Sequence, residues 1–371
     1  MSRENYKRLG DYIAPYLEKN VGLKVTLSQG INNNKYFQTP RQVAVDSEND
    51  QIVRTGQFAY NKETTRNGEK ISIAYREGPD CTVSSAYQVF YIKDDEELNP
   101  HYLLMWFKRP EFDRYARFKS FGSAHEFFTW DEMCNVYLPI PDIDEQRKIV
   151  AEYHAIEQRI ENNNRLIKAL EDTAQAIYHH TFVENIDPEN LPEGWCIGKL
   201  SDIAEYGKER IDTSELNSSS YISTENMIKD KGGVKEAEKI PEGKCVKFNA
   251  GDILLSNIRP HFKKIWKCTF NGGCSSDVLC IKTKGNYPQD YTYQVLESDI
   301  FFDYVNAGCK GTKMPRGDKE WNMNYIIPIP SLKALETFSK KTKLIRNQIE
   351  ASRKEISVLV NVKNLLLSKL S

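Results

Sequence analysis

Displaced by 189 residues, the second half of this 371-residue chain retraces the first, and this constrains the fold more than any local motif. Adding 189 carries Gly122 onto Gly311, Asn135 onto Asn324, Ile92-Lys93 onto Ile281-Lys282, and Pro139-Ile140-Pro141 onto Pro328-Ile329-Pro330. Near the start of each half the offset drifts by two, pairing Leu9 and Asp11 with Leu200 and Asp202, as loops of unequal length require. A chain this long exceeds what one hydrophobic core usually fills, so the expectation is two copies of one unit.

After each Pro-Ile-Pro the apolar pattern switches to a heptad. The first copy places Ile149, Tyr153, Ile156, Ile160, Asn163, Ile167, Leu170, Ala174 and Ile177 at core positions. The second places Phe338, Thr342, Ile345, Ile349, Ser352, Ile356, Leu359, Lys363 and Leu366 there, each 189 residues on. A small polar residue, Asn163 or Ser352, stands at the same core position of both, where a buried polar group sets register at some cost in stability. Two unrelated amphipathic surface helices are the rival reading. Asp142 or Asp144 can cap the first helix and Ser331 the second.

The runs QVFYIK, DILLSNI and SDVLCIK, set off by NG, GG and Gly-Asn turns, predict short, mainly antiparallel strands. The fold class expected is α+β: two similar mixed units joined by two long helices that form an antiparallel coiled coil, a pseudo-twofold internal repeat. The expected boundaries are 1–141 for the first globular unit, 142–180 for a spacer helix, 181–194 for a linker, 195–330 for the second unit and 331–371 for the C-terminal helix. The linker, ENIDPENLPEGW, is too short to carry the second unit back along a parallel helix pair, which favours the antiparallel arrangement. Two similar but unequal heads on a rod suit the reading of two different short DNA sites at a set separation. An adaptor whose heads bind proteins is the alternative.

With 51 Lys and Arg against 52 Asp and Glu, the net charge of −1 gives no global field for nucleic acid, so any such contact rests on local patches or on partner subunits. Apolar runs fall short of a membrane span, and MSRENYKRLG lacks an export pattern, so no membrane contact and a cytoplasmic location are expected. Eight cysteines without a CxxC pair point to buried thiols, with neither disulfides nor a metal site.

The strings YLPIPDIDEQRKIVAEYHAIEQRIENNNRLIKALEDTAQAIY (137–178) and LPEGWCIGKLSDIAEYG (191–207) resemble the specificity (S) subunit of type I restriction-modification systems. The likeness covers nearly the whole chain. It implies two target-recognition domains, one per half of an asymmetric bipartite site in double-stranded DNA. It also implies an antiparallel spacer docking two methyltransferase subunits, indirect association with restriction and translocase subunits, and no catalysis by this chain. The first half lacks a PEGW start, and SLKALETFSKK stands where the first copy has DEQRKIV.

No Asn/Asp-Pro-Pro-aromatic motif or GxxxxGK[ST] loop occurs, so methyl transfer and ATP-driven translocation are assigned elsewhere, and no cofactor is expected. The acids at Asp142, Asp144 and Glu145 are read as helix-start residues, and His179 and His180 as partners of helix-end carbonyls. Arg and Lys read guanine, Asn and Gln read adenine, and Lys, Ser and Thr hold phosphate. The DNA-contact candidates are therefore Asn33, Lys35, Arg41, Lys62, Arg66, Arg117, Lys119 and Ser123 in the first unit. In the second they are Arg210, Arg259, His261, Lys263, Lys264, Lys310, Thr312, Lys313 and Arg316. For the partner helices the candidates are Ile149, Ile156, Ile160, Asn163, Ile167 and Leu170, with Ile345, Ile349, Ser352, Ile356 and Leu359. Gly122 and Gly311, each followed by a hydroxyl residue, are equivalent points where backbone can approach a phosphate.

Overall fold

The computed structural model describes residues 6–40, 48–63, 70–120, 126–184 and 186–370. The chain divides into two compact units: unit 1 is Met1–Asn163 with Lys354–Ser371, and unit 2 is Asn164–Arg353. Each holds one globular part and a stretch of both long helices.

Unit 1 begins with β1 (Tyr6–Arg8), β2 (Ile13–Tyr16) and the hairpin of β3 (Gly30–Ile31) and β4 (Phe37–Gln38). There follow β5 (Gln51–Val53), β6 (Phe58–Asn61), β7 (Ile73–Tyr75), β8 (Cys81–Val83) and β9 (Tyr87–Ile92). Helices α1 (Pro100–Phe107), α2 (Pro110–Phe118) and α3 (Trp130–Cys134) lead to β10 (Tyr137–Pro139), which pairs with β1. The main sheet, in the order β2-β9-β6-β7, is antiparallel throughout. Asn99 caps α1 by accepting from the His101 and Tyr102 N–H groups, and Pro100 opens it where a missing N–H costs nothing. The helix then lays Phe107 across Phe58 and Phe90 of the sheet.

Helix α4 (Ile143–Phe182) leaves β10. Asp142 caps it through the Glu145 N–H, 3.0 Å. Unit 2 repeats the plan with β11 (Cys196–Lys199), α5 (Leu200–Ile203), β12 (Ala204–Tyr206), β13 (Arg210–Asp212), β14 (Tyr221–Ile222), β15 (Lys244–Phe248), β16 (Ile253–Ser256), β17 (Ile265–Lys267), β18 (Gly272–Cys274) and β19 (Val278–Thr283). Helices α6 (Gln289–Glu297), α7 (Asp299–Ala307) and α8 (Lys319–Met323) precede β20 (Ile326–Ile329) and α9 (Leu332–Lys369). Its main sheet, β12-β19-β16-β17, has the connectivity of β2-β9-β6-β7. A second sheet, β13-β15-β18-β14, carries one parallel pair, β14 with β18.

The repeat extends to single hydrogen bonds. Tyr102 donates to the Pro139 carbonyl at 3.0 Å, and Tyr291, 189 residues on, donates to that of Pro328. Arg8 and Lys199 donate to the side chains of Asn135 and Asn324 at 3.1 and 2.8 Å, which explains why those asparagines recur.

Each unit contains an antiparallel pairing of α4 with α9. In unit 1, Arg159 meets Glu355 at 2.7 Å and Glu157 meets Lys363 at 3.7 Å. In unit 2, Glu171 meets Arg353 at 2.9 Å, while Phe182 packs on Phe338. None of the 18 expected core positions is exposed, and Tyr153, Asn163, Ala174, Phe338, Thr342, Ile349 and Ser352 are buried. Gln146, fully buried, bonds the Glu97 and Pro141 carbonyls and the Asn99 N–H. Leu335, its counterpart, makes apolar contact instead, so DEQRKIV and SLKALETF seat their helices by different chemistry. His179 and His180 do not bond helix-end carbonyls as expected; both reach the Glu184 carboxylate, at 3.1 and 3.3 Å. Among the described residues no helix is long and apolar enough to cross a membrane.

The joint between helices and globular part is charged differently in the two units. Glu297, at the end of α6, is 3% exposed and accepts from the Tyr293 hydroxyl at 3.2 Å, whereas its counterpart Lys108 pairs with Glu157 at 3.4 Å. Burial first, then the nearby Glu171, raises the Glu297 carboxyl from 4.5 to about 7, against a smaller opposing pull from Lys231. The folded chain thus keeps a proton that the unfolded chain releases between about pH 4.5 and 7, so stability falls as pH rises through that window and is level above it. Glu297→Gln is expected to flatten that slope and to stabilise unit 2 above pH 7 by on the order of 1–3 kcal/mol. Urea unfolding at pH 5 and pH 8 checks it; an unchanged slope in the variant contradicts the assignment.

Candidate nucleic-acid interface

Three segments of unit 2 converge on one surface, 226–233, 257–264 and 309–318. Main-chain bonds join them: Asp230 N–H to the Phe262 carbonyl and Lys231 N–H to that of Lys263, both 2.9 Å, Arg259 N–H to that of Pro315 at 2.8 Å, and Gly317 N–H to that of Asn257 at 3.0 Å. Lys310 and Arg316 close the last loop by exchanging main-chain bonds of 3.0 and 2.9 Å. Gly308 permits the loop to start where it does: a β-carbon there would strike Trp321, which stacks on Tyr304. The segments hold eight Lys and Arg and two Asp, a local surplus of cations in a chain whose net charge is −1.

Arg259, His261, Lys263, Lys310, Thr312, Lys313 and Arg316, expected from the sequence, all lie on this surface. Lys229 and Lys231 join them, although the sequence reading passed over them. The pattern MIKDKGG, with basic residues at a glycine turn, was the available signal. Most of these cations are already paired. Lys263 and Lys231 share Asp299 at 2.9 and 3.1 Å, Arg316 pairs with Asp277 at 3.2 Å, and Lys310 with Asp318 at 2.6 Å. The first two pairs hold the Asp299 carboxyl below its usual range. Lys264 is half-buried and its ammonium donates to the Thr224 carbonyl, while burial lowers its pKa; it is a strut and not a free contact. Arg210 lies elsewhere, on β13, the edge strand of the second sheet.

The corresponding junction in unit 1 is the bridge of Glu63 with Phe127, matching that of Ile258 with Arg316 in unit 2. Lys62 lies beside it, its carbonyl accepting from the Phe128 N–H at 2.9 Å. Arg117 pairs with Glu126, and Lys119 with Glu132 at 3.5 Å. Arg41, Arg66, Ser123 and the glycine at 122 lie outside the described residues.

Lys35 corrects the sequence expectation. It is 4% exposed, and its ammonium donates to Asp113 at 2.6 Å and to the Ile71 carbonyl at 3.1 Å. Burial lowers its pKa against the opposing pull of Asp113. An ammonium so enclosed is not available to a phosphate. The NNNK segment is the turn of the β3–β4 hairpin, fastened to the body by Lys35 and by the bond from the Ser72 hydroxyl to Asn33, 3.2 Å.

Residues 7–172 match the type I restriction modification DNA specificity domain. The Type I restriction enzyme MjaVIII specificity subunit of Methanocaldococcus jannaschii is 20% identical over 260 residues, covering 64% of this chain and 61% of that protein. The EcoDI specificity subunit of Escherichia coli is 20% identical over 220 residues, covering 58% of this chain and 48% of that protein. The match therefore spans about half to three fifths of these curated relatives. The crystal structure of the type I restriction-modification S subunit from M. genitalium has the same fold, with a TM-score of 0.57 at 14% identity over 98% of this chain and 95% of that one. A mixed α/β unit built twice and carried on long paired helices is the class of protein these features define. The first half of the chain thus matches that specificity domain, and the chain is similar to the specificity subunits of type I restriction-modification systems.

Proposed function

We propose that this chain is the non-catalytic DNA-recognition subunit of a type I restriction-modification complex. It reads two different short sequences in double-stranded DNA, one with each unit, and docks two methyltransferase subunits through α4 and α9; restriction and translocase subunits associate through these. The observation that carries the reading is that one strand order ends twice in the same loop junction, with different side chains at each. Repeated scaffolding with divergent tips is what an asymmetric two-part target requires. The local cationic surplus on the loop surface of unit 2 supports DNA as the partner, since phosphate contacts supply much of the affinity in such interfaces.

If α4 and α9 set the distance between the half-sites, removing one heptad from each changes it by about 10 Å, or about three base pairs. Mapping methylated adenines in cells carrying the shortened chain is expected to show the same half-sites with a shorter spacer. Unchanged spacing refutes the spacer role. Unchanged methylation after deletion of the gene refutes DNA recognition itself.

A further inference from the structure

Among the described residues, Arg259 combines two features that no other cation on the unit 2 surface combines, a left-handed backbone and the lack of an acid partner. Its φ of 49° and ψ of 62° lie in the left-handed region, and Lys263, four residues on, repeats this with 47° and 45°. A side chain with a β-carbon is strained there and glycine is not, yet neither position is glycine. Strain of this kind persists where surrounding bonds over-determine the conformation, and it clusters at functional sites. Here the bonds are the anchor from Arg259 N–H to the Pro315 carbonyl, 2.8 Å, and two inside the turn, Phe262 N–H to the Arg259 carbonyl at 2.9 Å and Lys263 N–H to the Pro260 carbonyl at 2.8 Å. Pro260 fixes a further dihedral. The result is a stiff Arg-Pro-His-Phe-Lys turn with Arg259 exposed at its head.

The second difference is electrostatic. Lys231, Lys263, Lys310 and Arg316 each have an aspartate, and Lys264 has a carbonyl. Among the described residues no carboxylate lies within ion-pair distance of Arg259; its guanidinium stands 6.0 Å from the centroid of Phe262, a ring that also carries the Lys229 ammonium at 3.9 Å. Guanine offers neutral acceptors, which compete poorly with a carboxylate for a cation, whereas a phosphate is charged and can displace one. A base-reading arginine must therefore be free of acids, while phosphate-holding lysines need not be. Arginine's rigid fork also matches the two adjacent acceptors of guanine, which a lysine cannot engage bidentately.

We propose that Arg259 reads a guanine in the half-site of unit 2, donating to its O6 and N7 in the major groove while the aspartate-paired cations around it hold phosphates. This rests on the DNA-recognition reading above. The test uses the full chain assembled with its methyltransferase subunits, the methylated target of the wild-type complex, and a panel of duplexes each changed at one base pair of one half-site. Arg259→Ala is expected to weaken binding to the intact target roughly 10- to 100-fold, to abolish discrimination at one G·C pair only, and to leave the salt dependence unchanged. Arg259→Lys keeps part of the affinity without the discrimination. Arg259→Gly, which relieves the backbone, loses as much as alanine, so conformational strain is not the cause. A uniform loss on all duplexes with a salt slope reduced by about one identifies a phosphate contact and overturns the proposal. Unchanged binding overturns it as well. Absence of any preferred duplex for the wild-type complex instead sinks the DNA reading, and the proposal with it.

Discussion

Phe182→Ala is expected to destabilise unit 2 by about 3–5 kcal/mol, the range for removing a fully buried phenylalanine. The ring is 0% exposed and lies 5.1 Å from Tyr291, 5.1 Å from Phe338, 5.6 Å from Trp195 and 5.9 Å from Tyr178, centroid to centroid. These partners come from α6, from α9, from the chain just before β11 and from α4 itself, so one side chain joins both long helices to the globular part of the unit. The surrounding rings are large and themselves locked, and Tyr291 is further tied to the Pro328 carbonyl, so the site has little freedom to collapse into the space left. Denaturant unfolding checks the loss; a change below about 1 kcal/mol means the joint repacks and is not the keystone described here.

Part of this architecture could be read from residue spacing because the physics that made it is local. The helices were legible since side chains every three or four residues report directly on one buried stripe, and Tyr153, Ala174, Thr342 and Ile349 are buried where that period puts them. The duplication was legible because Pro139 and Pro328 each accept from a tyrosine hydroxyl, and Asn135 and Asn324 each accept from a cation at the equivalent position, and so resist drift. Lys35 was not, because its burial depends on Asp113, 78 residues away, and the polar run around it looks like any exposed turn. The grouping of Lys229 and Lys231 with Arg259 and Arg316 was equally hidden: main-chain bonds between loops join them, and loops carry no period. Nor does spacing reveal which cations are neutralised by an aspartate, which is the property that separates Arg259 from Arg316, the other arginine of that surface.

The second large effect concerns the partner proposed for the helices. On the part of α9 that belongs to unit 1, Val358, Val362 and Leu365 are spaced by four and three on the side away from the core residues Ile356, Leu359 and Lys363, and are 60%, 39% and 61% exposed. Single exposed apolar residues are ordinary, but a row of three on one helix face is the pattern by which another helix or groove is engaged. Subtracting 189 gives Ala169, Thr173 and Ala176 on α4, small or polar residues with far less surface to bury. If both helices carry methyltransferase subunits, the two sites are therefore unequal, with the stronger one on α9. Changing Val358, Val362 and Leu365 together to glutamate is expected to leave the unfolding free energy within about 1–2 kcal/mol of wild type, since none of the three is a core residue, and to weaken one of the two methyltransferase sites at least 100-fold. Glutamates at Ala169, Thr173 and Ala176 are expected to have a smaller effect. Mass measurement of the assembled complex across a titration separates the cases: two sites weakened equally by either set contradict the asymmetry, and full assembly with both sets in place places the docking surface off these helix faces.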